Sequence, residues 1–113
     1  MLHLAIHSFT PVLNGQIRNA DFSLLYDPRR PHEKAFAKSF LDRLKVYQPH
    51  FRFRKNYPYL GIYDGLCTHL RKLFSDSSYI GVEVEVNQKH LEDKAQIHHL
   101  AWLITHTLSD LLS

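Results

Sequence analysis

Apolar and polar positions alternate from the second residue onward. Leu2, Leu4 and Ile6 fall on one side and His3, Ala5 and His7 on the other, the period of a strand. A polar stretch from Ser8 to Asn19, with Pro11, Asn14 and Gly15, reads as a functional loop because it is too long for a tight turn. Phe22 to Tyr26 reads as a short buried strand. Pro31 then suits a first helical position, and Glu33 suits the positive end of a helix dipole. Phe36, Phe40, Leu41, Leu44 and Tyr47 recur at three- and four-residue steps, the stripe of an amphipathic helix that ends at Gln48-Pro49. Phe51 and Phe53 alternate with Arg52 and Arg54, which predicts an edge or half-exposed strand. Turn residues crowd Asn56 to Gly65, and a shorter helix follows over Leu66–Phe74. Tyr79–Val86 is the most strand-like segment, with Val82, Val84 and Val86 on one face and Glu83 and Glu85 on the other. A final helix is expected over Lys89–Leu112, capped by Asn87, with Ile97, Leu100, Ala101, Ile104, Leu108 and Leu111 on its buried stripe.

Strands and helices in alternation predict an α/β layered domain of about four strands and three helices. The 113 residues suit one domain, 1–113, and seven Phe, six Tyr and one Trp can fill a core without staples. No run approaches the ~18 apolar residues of a membrane span, and the first residues lack the pattern of a secretory signal. A single cysteine, Cys67, excludes an internal disulfide and a cysteine-based zinc cluster, so a cytoplasmic location is expected. The net charge of +3 is mild. Arg52 to Lys55 reads first as a solvated basic face; its interleaved aromatics leave open a nucleic-acid-binding module.

In an α/β sheet, ligands sit beyond the carboxyl ends of the strands. His7 ends its strand there, and Glu83 and Glu85 lie toward the end of theirs. Two carboxylates on one face of a strand must be exposed, paired or used, since burying them unpaired costs several kcal/mol each, roughly. Three readings follow: an edge strand with its glutamates in water, a structural pairing with Arg18 or Arg54, or a carboxylate acting as general base beside a metal that His7 helps to hold. His3 and His7 are about 13 Å apart along one strand and cannot chelate one ion together. His32, His50, His90, His98, His99 and His106 read as surface residues.

Four ordered segments carry a resemblance: HSFTPVLNGQIR (His7 to Arg18), LLYD (Leu24 to Asp27), NYPYLGIYDG (Asn56 to Gly65) and GVEVEVNQ (Gly81 to Gln88). Together they resemble the N-formylglutamate amidohydrolase family, zinc-dependent hydrolases of N-acylated amino acids that are similar to the zinc metallocarboxypeptidases. The resemblance implies a C-terminal portion of a phosphorylase/hydrolase-like fold. It implies that His7 is a zinc ligand, that Glu85, three positions before Gln88, is the catalytic acid/base, and that Arg18 holds the substrate's carboxylate. Asn56 and Tyr59 would line the substrate pocket, and the substrate would be a small N-acyl amino acid.

Members of that family are longer, and this chain begins almost on the expected last zinc ligand. The zinc site is therefore expected to be incomplete within this chain, with further donors supplied from elsewhere. A noncatalytic remnant or interaction domain of the same family is the alternative. Without the family's N-terminal half, the strand at 2–7 would leave an open edge, for which a homodimer is the expected cover.

Overall fold

The computed structural model describes residues 1–63 and 65–112. Among these residues six strands and three α-helices follow in the order β1 (Leu2–Phe9), β2 (Val12–Leu13), β3 (Gln16–Ile17), β4 (Phe22–Leu25), α1 (Pro31–Tyr47), β5 (Phe53–Lys55), α2 (Gly65–Leu73), β6 (Ile80–Asn87) and α3 (Lys94–Leu112). Four of the strands form a mixed sheet in the order β1-β6-β4-β5. β1 runs parallel to β6, β4 runs antiparallel to β6, and β5 runs parallel to β4. This is the expected α/β architecture.

One face of the sheet makes the core. Phe22, Leu24, Val82, Val84 and Val86 project toward α1 and α3, where Ala37, Phe40, Leu41, Leu44, Leu100, Leu103 and Ile104 meet them. Alternation sends the other residues of the same strands, including Ser23, Glu83 and Glu85, to the opposite face. α2 lies on that second side, its buried Cys67 reaching His3 of β1 (Sγ to Nδ1 3.7 Å).

β6 is an interior strand, so the edge-strand reading of its glutamates does not hold. Glu83 and Glu85 are 5% and 4% exposed. The expected loop from Ser8 to Asn19 contains a β2–β3 hairpin, turning on Asn14 and Gly15 at φ +51° and +77°. Two adjacent positive φ values are what a two-residue type I′ turn needs, and Asn-Gly supplies them at low strain. β5 lies at the sheet edge, as its alternation predicts. Its aromatics are used in packing: Phe53 meets Phe22 edge-on, and Phe51, just before the strand, stacks on His90 at 4.6 Å.

Asn87 does not cap the last helix. It caps a single 3-10 turn at Gln88–His90, and α3 starts later, where the Asp93 carboxylate accepts from the Gln96 amide at 2.8 Å. The buried stripe of α3 is Leu100, Leu103, Ile104 and Thr107, so Ile97 and Ala101 stay exposed. Glu33 does more than favour a helix dipole. It is fully buried, accepts from the Asp27 and Gly81 amides at 3.0 and 3.1 Å, and takes both carboxylate contacts from Arg71 Nε at 3.1 and 3.0 Å. Arg71 also donates to the Gly61 and Gly81 carbonyls, tying α1, α2 and the start of β6 together.

Candidate functional site

β1 and β6 pair in a register that sets His7 directly beside Glu85, and Ser23 of β4 lies across from Glu85 on the other side. Register partners share a face, so His7 and Glu85 stand on the same side of the sheet, the one opposite the apolar core. His7 keeps half of its side chain in solvent, and its Nε2 lies 3.9 Å from the Glu83 carboxylate. The meeting of these groups is a consequence of strand order: the third-from-last positions of two parallel neighbours come side by side.

Glu85 has an unusual environment. The residue is buried, yet its Oε2 has no hydrogen-bond partner. Burial pushes its carboxyl above the ordinary carboxylate value, while the positive fields of His7 and Arg18 pull it back. A buried carboxyl whose charged form is disfavoured by desolvation and favoured by its neighbours is the kind of group that can both accept and return a proton.

Arg18 follows the β2–β3 hairpin. Its guanidinium contacts the Thr10 hydroxyl at 3.4 Å and lies over the Tyr59 ring, 5.3 Å from the centroid. Tyr59 is thus brought to Arg18 from the loop after β5, and Arg18 also borders a cleft of about 380 Å³ with Asn14, Gln16 and Tyr57. No carboxylate pairs with Arg18 among the described residues, which leaves its fork open to an anionic group.

Asn56 stands apart from this group. Its φ is +52°, and its Oδ1 accepts from the Tyr26 and Gly61 amides at 3.1 and 3.0 Å. Those two bonds pin the loop after β5 to the end of β4, where Asn56 borders a separate small cavity with Tyr26, Leu60 and Ile62. Gly61 is required at that crossing, because a Cβ there would lie 2.3 Å from the Tyr26 nitrogen.

Among the described residues, no group of three or more His, Cys, Asp or Glu side chains is arranged to hold a metal ion. A catalytic zinc takes three protein ligands, so the donors present do not complete such a site. His90, expected at the surface, is partly buried and reaches Asp21 at 2.7 Å. Sequence reasoning also missed the Glu33–Arg71 pair, which is separated by 38 positions and carries no local signature.

No protein-family model matches the chain, and no curated protein matches it. Among solved structures it is similar to the gene product Atu2144 from Agrobacterium tumefaciens, with a TM-score of 0.63 and 22% identity. The match covers 97% of this chain and 43% of that one, so this chain spans less than half the length of its structural neighbour. At that identity the likeness establishes the fold. No helix among the described residues is long and apolar enough to cross a membrane.

Proposed function

We propose that this chain carries the acid/base and substrate-anchoring half of an N-formylglutamate amidohydrolase-like site, which hydrolyses the amide of a small N-acyl amino acid. The observation that carries the reading is the buried Glu85 carboxylate beside His7, with one oxygen unpartnered. In this reading Glu85 takes a proton from the attacking water as its oxygen bonds to the amide carbon. As the C–N bond breaks, the same carboxyl returns that proton to the leaving nitrogen. Arg18, braced by Tyr59, holds the substrate's carboxylate through its planar fork. Zinc belongs to the proposal as a partner of His7 whose other donors come from outside these residues; when bound, it would polarise the acyl carbonyl.

The test is release of free amino acid from N-formyl-L-glutamate and a panel of N-acyl amino acids, with and without added zinc. Glu85→Gln and Arg18→Met are assayed in parallel. With the remaining zinc donors supplied, the expected result is turnover that Glu85→Gln reduces by at least a hundredfold at unchanged fold, general acid/base groups being worth about 10²–10⁴. Arg18→Met should chiefly raise KM. Turnover retained by Glu85→Gln overturns its role. A folded protein with no hydrolysis at any zinc concentration even when those donors are supplied supports the second reading, a noncatalytic relative, which the incomplete donor set favours.

A further inference from the structure

α3 turns Ile97 and Ala101 into an open groove of about 590 Å³ that they share with Ile6 of the outermost strand, β1, and with Val86 and Leu100. Ile97 is 45% exposed and Ile6 58% exposed, although Ile97 continues a stripe that is otherwise buried and Ile6 one that is half-buried at Leu2 and Leu4. Below the groove lies the free edge of β1, eight residues long and unpaired on that side among the described residues. Protein edges are commonly blunted by charge, proline or a bulge, and the β1 sequence LHLAIHSF holds no Lys, Arg, Asp, Glu or Pro.

The polarity of that edge is fixed by one bond. The Met1 carbonyl accepts from the Ile80 amide at 2.9 Å, so odd-numbered residues of β1 turn their peptide groups toward β6. By alternation, Leu2, Leu4, Ile6 and Ser8 turn theirs outward.

We propose that this edge pairs with the β1 of a second copy, antiparallel about a twofold axis at Ala5. In that register Leu4 faces the partner's Ile6, Leu2 faces the partner's Ser8, and His3 faces the partner's His7. The even residues make the hydrogen-bonded pairs that their outward peptide groups require, and small alanines meet at the close, non-bonded pair on the axis. The twofold leaves both α3 helices on one side of a continuous eight-stranded sheet. The exposed Ile97 and Ala101 then cover the partner's Leu4 and Ile6. Each His7 gains the partner's His3 as a neighbour, so the second copy adds an imidazole to the candidate site. The size is adequate: a strand of ~26 Å against a molecular thickness of 21 Å gives on the order of 1,100 Å² over both copies, at the threshold of specific interfaces.

Light scattering and sedimentation over a thousandfold concentration range test the association, and Ala5→Cys tests the register. Cα atoms of a non-hydrogen-bonded pair are about 4.5 Å apart, within disulfide reach, and the buried Cys67 does not compete. The expected results are a particle of twice the chain mass, rapid oxidative cross-linking of Ala5→Cys but not of Leu13→Cys in the hairpin, and a folded monomer for Ile6→Lys. A wild-type monomer at every concentration overturns the proposal. So does a dimer that neither cross-links at position 5 nor responds to Ile6→Lys, or a polydisperse series in place of one closed species.

Discussion

Replacing Arg71 by Met removes the cation from a carboxylate that has no access to water. The Arg71 side chain is 7% exposed and Glu33 is fully buried. Withdrawing one partner of a buried pair costs about 3–5 kcal/mol, because the remaining charge is left uncompensated. Two features act in opposite directions here. Arg30 Nε remains 3.3 Å from Glu33 and moderates the loss, while the Gly61 and Gly81 carbonyls lose their guanidinium donors and add to it. We expect about 3–4 kcal/mol, a large part of the ~5–15 kcal/mol that holds a domain of this size. Urea denaturation followed by far-UV circular dichroism measures it directly, and the melting temperature should fall by roughly 12 °C. The double variant Glu33→Gln, Arg71→Met removes both charges and should recover at least about 1 kcal/mol relative to additivity. A loss below about 1 kcal/mol for the single variant, or strict additivity in the double, refutes the account of a desolvated pair joining α1, α2 and β6.

Two further outcomes follow from named contacts. Gly61→Ala forces a methyl group against the Tyr26 backbone, with approaches of 2.3 and 2.6 Å to its nitrogen and oxygen, and rigid main chain cannot yield as a side chain can. It should cost more than about 3 kcal/mol, at or beyond the usual range for overpacking, read as the shift in urea midpoint; a neutral result would mean the loop is free to move away. Glu85 binds its proton more tightly folded than unfolded, so its contribution to stability is fully present below the ordinary value of 4.5 and is lost as pH rises through the raised folded value. Glu85→Gln removes that dependence, and its stability relative to wild type should therefore grow between pH 4 and pH 8; a constant gap across that range would contradict the burial argument.

The elements were legible because their patterns are local. The Phe36-to-Tyr47 stripe, the alternation in β1 and the valine face of β6 each state a period, and a period names a helix or a strand. The Asn14-Gly15 turn carried the sequence signal of a hairpin, but its flanking strands are two residues each and too short to show a period. Strand order carries no local signal, which is why the position of β6 could not be told from its glutamates alone. The same reasoning explains α3: its apolar stripe describes what the helix can cover, while the extent of the sheet sets what it does cover. Of the expected site, His7 and Glu85 meet because of register, and Arg18 and Tyr59 meet through the loops. Asn56 was singled out by the resemblance alone, yet its oxygen serves the main chain, a use that only the folded path of Tyr26 and Gly61 reveals.

Within one copy and among the described residues β1 joins the sheet through β6 alone, so the proposed centre straddles an outer seam of that sheet. Releasing that ribbon would carry His7 away and leave Glu85 on what had become the outer strand, still paired with β4. Such partial opening requires far less free energy than global unfolding. The imidazole and the carboxylate therefore belong to regions of different persistence, and amide exchange along residues 2–9 would report how much of the time the two are together.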